Sequence, residues 1–178
     1  MSAPVPVDPV RPGRSARVLV VALVVLLVAA LVALGLVWRA LEHRRDLDSA
    51  GRAAERAARA AAVAMTSYDY RTVDRDFGWV DTAGTARFRT QYAEVSAPVE
   101  KLVVQLKAHA TGSVLDSAAR VRDADHVTVL LFVDQALTSA GGDAASRRLD
   151  QPRVVMKMVR QGGRWLVDEV GLRNLTSH

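Results

Sequence analysis

The sequence predicts an α+β protein: a single N-terminal transmembrane helix, then helices laid on one face of a curved four-stranded antiparallel sheet. Three observations predict it. Val18–Trp38 is built from Val, Leu and Ala with one Gly and a closing Trp, and holds no charge. From Arg39 to about Lys107 apolar residues recur every three or four positions, the helical period. After His109 the period drops to two, the mark of strands.

Residues 1–17 are expected to form a disordered basic tail, because Pro4, Pro6, Pro9, Pro12 and Gly13 oppose helix formation. Residues 18–38 form the transmembrane helix: at about 1.5 Å of rise per residue they span roughly 31 Å, the thickness of a bilayer's hydrocarbon core. Ala22, Ala29 and Ala33 lie on one side of it and would let another helix approach closely. The positive-inside count does not orient it, since Arg11, Arg14 and Arg17 precede it and Arg39, Arg44, Arg45 and Arg52 follow.

Residues 39–67 read as a membrane-proximal helix whose narrow stripe, Leu47, Ala50, Ala54, Ala57, Ala61 and Met65, suits close packing on a sheet. Its opposite face is charged and expected to be solvated, with Asp48–Arg52 and Glu55–Arg59 at favourable i, i+4 spacing. Asp48 to Gly51 is the place where this helix would break. Residues 68–172 hold the remainder of the α+β domain, and 173–178 a C-terminal tail. Ser67–Trp79 interleaves aromatics with acids and reads as a short helix or turn capping the core. A second long helix follows the break at Thr82–Thr85 and presents Phe88, Tyr92, Val95, Val99, Leu102, Val103 and Leu106, with Pro98 expected to kink or split it.

The four strands are placed at 109–121, 126–138, 153–161 and 164–172. Arg122–Asp125 makes the first turn, Ser139–Pro152 a long polar loop, and Gly162-Gly163 a tight hairpin. Val127–Val133 is apolar on both faces, which marks the central strand.

Little in the chain points to chemistry. Among 178 residues there is no cysteine, hence no disulfide, thiolate metal site or cysteine nucleophile. The net charge of +5 is spread without a dense basic run, which argues against nucleic acid as a partner. Neither a phosphate-cradling glycine loop nor a nucleophile elbow is present. His43, His109, His126 and His178 are not at metal-ligand spacing, and strand pairing keeps His109 far from His126. The acids Asp69, Asp74 and Asp76 stand near Tyr68, Phe77 and Trp79, where one of them could serve as a general base in a pocket. The plainer reading has them capping helices and pairing with Arg71 and Arg75. Asp134 either projects into a cavity or marks a strand's exit. Trp165 is expected to anchor the last hairpin in the core. Phe88, Tyr92, Phe132, Met156 and Met158 are core residues by spacing, with a lipid-sized cavity between them as the sharper alternative. No catalytic, cofactor-binding or metal-binding residue is therefore assigned.

Several blocks together resemble a known family. The N-terminal anchor, the Ala60–Tyr70 segment AAAVAMTSYDY, Phe88–Tyr92, Val129–Gln135, Arg153–Val159 and Gly163–Val167 are similar, in order and spacing, to the Mce-associated membrane proteins of actinobacteria. The resemblance implies a cone-like soluble domain similar to nuclear transport factor 2 and to an assembly subunit of type IV secretion. It further implies a cytoplasmic N-terminus, an extracytoplasmic C-terminal domain, no catalytic motif and no cofactor. The implied partners are Mce transporter subunits, sibling Mce-associated proteins and the lipid bilayer. The expected function is thus a non-enzymatic accessory subunit that assists or stabilises an Mce-type lipid transport complex. Alternatives are a lipid-binding module using the cone cavity, a scaffold of a secretion-type envelope complex, and an isomerase-like enzyme with Asp69, Asp74 or Asp134 as its base.

Overall fold

A computed structural model describes residues 14–140 and 146–173. The expectations for the proline-rich start, for Gly141-Gly142 and for the last five residues lie outside them. The chain divides into two compact units, Met1–Arg44 and Arg45–His178. Helix α1 (Arg14–Thr66) begins four residues before the predicted anchor and runs without interruption through Asp48–Gly51. In the first unit its described apolar side chains are exposed, Val18 and Leu26 by 69% and 66%, and none of the apolar run described is buried. Among the described residues this is the one helix long and apolar enough to cross a membrane. At its end Trp38 Nε1 donates a hydrogen bond to Glu42 Oε1 (2.6 Å).

The second unit is a curled antiparallel sheet with helices on one face, and it holds six strands where four are predicted. After α1 come β1 (Tyr68–Asp69), α2 (Val73–Phe77), α3 (Trp79–Ala83), α4 (Ala86–Gln105), β2 (Ala108–Val121), β3 (His126–Ser139), β4 (Ser146–Asp150), β5 (Arg153–Gln161) and β6 (Arg164–Arg173). The order across the sheet is β1-β2-β3-β5-β6, with β4 also on β3. The four predicted strands correspond to β2, β3, β5 and β6, and β3 is central as expected. β4 lies in the predicted loop. Its sequence, Ser-Arg-Arg-Leu-Asp, has no apolar alternation; it is a strand because β5 pairs only with His126–Phe132 and leaves Gln135–Ser139 of β3 to be satisfied. β1 is two residues long and pairs with Ala110 and His109.

The core lies between the sheet and the Arg45–Thr66 part of α1. Val127, Val129, Leu131 and Val133 alternate inward along β3 at 2% exposure or less, meeting Ala54, Ala58, Ala61 and Ala62 of the helix. Alanine on the helix permits a close approach, closest where Thr66 sits over Gly112. The charged face of this helix is not simply solvated. β2 bulges at Leu115, which is exposed, and Arg59 reaches across to the Val114 carbonyl (3.1 Å) and Ser117 Oγ (2.9 Å). Glu55 accepts from the same Ser117 hydroxyl, so Glu55 and Arg59 meet on the sheet rather than on each other.

α4 starts on Thr85, whose Oγ1 accepts from the Phe88 N–H (3.1 Å) and donates to Asp168 of β6 (3.0 Å). Arg87 pairs with the same Asp168. Pro98 does not split α4, which continues to Gln105. Gly162 and Gly163 both have positive φ (56° and 76°), as the tight β5–β6 hairpin demands.

A candidate apolar cavity

The helices and the inner face of the sheet border an open-mouthed cavity of about 540 Å³. Its inner wall is Met65 and Thr66 at the end of α1, Gln135 of β3 and Val154 of β5; α4 forms the opposite wall and the rim. Aromatic rings brace it. Tyr92 lies 5.4 Å from Trp79 (centroid to centroid, edge-on) and 5.9 Å from Phe88, and accepts a hydrogen bond from Trp79 Nε1 (3.2 Å). Tyr68 packs on Phe77 at 5.8 Å. Burial raises the pKa of both phenols, with nearby Asp150 adding to the effect at Tyr68. At Tyr92 the bond from Trp79 opposes it and Glu100 reinforces it. Both remain neutral at physiological pH.

Two polar side chains of the lining are tied to protein. Thr66 Oγ1 donates to the Ala62 carbonyl (2.7 Å), and Gln135 Nε2 donates to the Thr66 carbonyl (3.0 Å). The one charge among the described lining residues, Glu169, is paired with Lys157 at 2.7 Å.

Of the residues singled out by sequence, Tyr68, Phe77, Phe88 and Tyr92 do line the cavity. Met156 and Met158 do not: they point into the packed core at 0% and 1% exposure. Phe132 lies on the other face of the sheet beneath the Arg153 guanidinium, 5.4 Å away, because it alternates with inward Leu131 and Val133. Trp79 stands behind Tyr92 rather than at the surface of the cavity, and Trp165 is half-buried against the main core.

None of the four carboxylates considered as bases reaches this space. Asp76 ties a loop together, accepting from Thr72 Oγ1 (2.7 Å), from the Asp69 N–H (3.0 Å) and from Arg75. Burial alone would raise its pKa; those hydrogen bonds outweigh burial and leave it lowered. Asp69 faces His109 (3.3 Å), Asp74 is exposed, and Asp134 accepts from Gln151 Nε2 (2.8 Å). Asp134 does not mark a strand's exit, since β3 continues to Ser139. His126 pairs with Asp123 (2.8 Å) at the β2–β3 turn, so the two histidines of β2 and β3 lie apart, as strand pairing requires. Sequence reasoning missed Gln135, Val154 and Val170 as lining residues; they come together only when strands pair.

The model of the family described as "Uncharacterized protein Rv1363c/MT1408-like" matches residues 14–171. The chain belongs to that family. Two relatives from Mycobacterium tuberculosis, MT1407 of strain CDC 1551 and Rv1362c of strain H37Rv, are each 30% identical over 138 residues, which is 73% of this chain. The chain spans 60% of the length of these relatives. Solved structures share the fold of the Rv1363c/MT1408-like chain at low identity. An IcmL-like type IV secretion system protein from Legionella pneumophila has a TM-score of 0.54 at 11% identity, covering 70% of this chain and 92% of its own. CagV, a VirB8 homolog of the Helicobacter pylori type IV secretion system, has a TM-score of 0.53 at 10%, covering 68% and 100%. The periplasmic domain of DotI has 0.52 at 12%, covering 67% and 91%.

Proposed function

We propose that this protein is a membrane-anchored, non-enzymatic accessory subunit of a cell-envelope complex, acting through protein–protein contacts. One observation carries the reading: a helix of membrane length heads a chain whose fold is shared with subunits of type IV secretion systems. The neighbour named as a periplasmic domain supports an extracytoplasmic second unit and a cytoplasmic N-terminus. The finer reading, that the complex is an Mce-type lipid transporter, rests on the resemblance of the Ala60–Tyr70, Val129–Gln135 and Arg153–Val159 segments to Mce-associated proteins.

Purification of the tagged full-length chain from native membranes in mild detergent tests it. Mce transporter subunits are expected in stoichiometric company. Secretion-channel subunits in their place would transfer the role to a secretion scaffold, and a chain that elutes alone would remove the accessory role.

A further inference from the structure

α4 carries an inconsistency between pattern and burial. Val95, Val99 and Leu102 recur at the helical spacing that normally marks a buried stripe, yet they are 60%, 45% and 51% exposed. Val95 and Val99 form the rim of the 540 Å³ cavity, so the uncovered stripe and the empty space are one feature. A volume in the range of about 300–1,000 Å³ is that of small-molecule sites. Covering an apolar rim over an apolar hollow is favourable in water, and such contiguous patches mark interaction sites.

The chemistry of the lining narrows the occupant. Among the described residues, no Lys, Arg or His lines the cavity. A carboxylate or phosphate head would find no counter-charge there and would face Glu169, itself already held by Lys157. Of the polar lining groups, Thr66 Oγ1 and Gln135 Nε2 are engaged with protein and the Tyr68 and Ser96 hydroxyls are uncharged, so the remaining, mostly apolar, lining suits hydrocarbon. Gln91 stands exposed on the rim one turn before Val95, offering an amide to an uncharged hydroxyl or carbonyl.

We propose that this cavity binds one neutral single-chain lipid, its hydrocarbon against Tyr92, Val95 and Val170 and its uncharged head at the Gln91 rim. The site is independent of the accessory role above; either can stand without the other.

The test uses the full-length chain in phosphatidylcholine nanodiscs with two photoactivatable probes of identical chain, a diazirine-bearing monoacylglycerol and the matching diazirine-bearing fatty acid. Adducts are mapped by peptide mass spectrometry. The monoacylglycerol is expected to label the Met65–Tyr68 and Gln91–Val99 peptides. In Val95→Trp, which fills the rim from an exposed position, that labelling should fall about tenfold, equivalent to about 1.4 kcal/mol of binding. Labelling of Val18–Trp38, which reports bilayer contact, should not change. Val99→Glu, also at an exposed site, should act in the same direction. The proposal is overturned by adducts confined to the anchor, as a rim covered by another protein chain would give, or by cavity labelling indifferent to both variants. Fatty-acid labelling equal to that of the monoacylglycerol would overturn the choice of a neutral head.

Discussion

Gly112 is where β2 comes closest to α1, and a Cβ there would run into the Thr66 side chain and within 3.2 Å of the Thr66 carbonyl carbon. A side chain cannot be added without moving the helix from the sheet. Gly112→Ala is expected to destabilise the protein by about 1–3 kcal/mol in chemical denaturation, and Thr66→Ala in the same chain should restore part of the loss. At the β2–β3 turn, Asp123 accepts hydrogen bonds from His126 and from the Asp125 N–H, with Arg122 beside it. The bond from His126, first, and then the others hold its carboxyl at about 2, against an ordinary 3.8. A carboxylate whose pKa is lowered by folding stabilises the fold above its ordinary pKa and loses that contribution as pH falls toward the folded value. Asp123→Asn should therefore lower the melting temperature at pH 5 to 7, with the difference from wild type vanishing as pH drops from about 4 to 2. A difference that persisted at pH 2 would place the effect elsewhere than in this carboxylate.

At the scale of elements, the alanines of α1 decide how the second unit packs. Ala54, Ala58 and Ala62 are at 0% exposure against β3, so the helix axis rides close to the strands. Ala58→Val adds two methyl groups to a packed interface and is expected to cost about 1–3 kcal/mol, whereas the same change at exposed Ala93 should cost little beyond helix propensity. Urea titrations of the two variants separate the contributions. α4 behaves differently because its partner surface is incomplete: Phe88 and Val103 are buried at its two ends while Val95 and Val99 between them are not. Pro98 takes one donor from the helix without ending it, since the neighbouring turns and the Thr85 cap keep the remaining ladder in place.

For the molecule as a whole, the long apolar run of α1 is what packing leaves uncovered. The described side chains of Val18–Trp38 are exposed, and transfer of such a run into a bilayer's hydrocarbon would relieve an exposure that water penalises at about 25 cal/mol per Å². The absence of cysteine makes orientation directly measurable. A single cysteine at exposed Gln161 should react in intact cells with a membrane-impermeant maleimide, and a cysteine at Ser2 should react only after lysis. The reverse pattern would put the second unit in the cytoplasm.

The sequence by itself determined the long uncharged apolar helix, the α+β order, the central place of Val127–Val133 and the Gly162-Gly163 hairpin. Each of these is a local signal: an uncharged apolar run, a change of period, a pair of residues able to adopt positive φ. It also marked the aromatics around Tyr68–Trp79 and Phe88–Tyr92, without their arrangement. Only the tertiary structure decided that β4 is a strand, because its pairing is required by the uncovered end of β3 rather than by its own residues. The same holds for Arg59 and Glu55, which meet over a bulge invisible to helical periodicity. It holds above all for the cavity: Val154, Met156 and Met158 share one face of β5 and one buried core, yet only Val154 borders the hollow, because helix placement over the sheet decides where the packing stops.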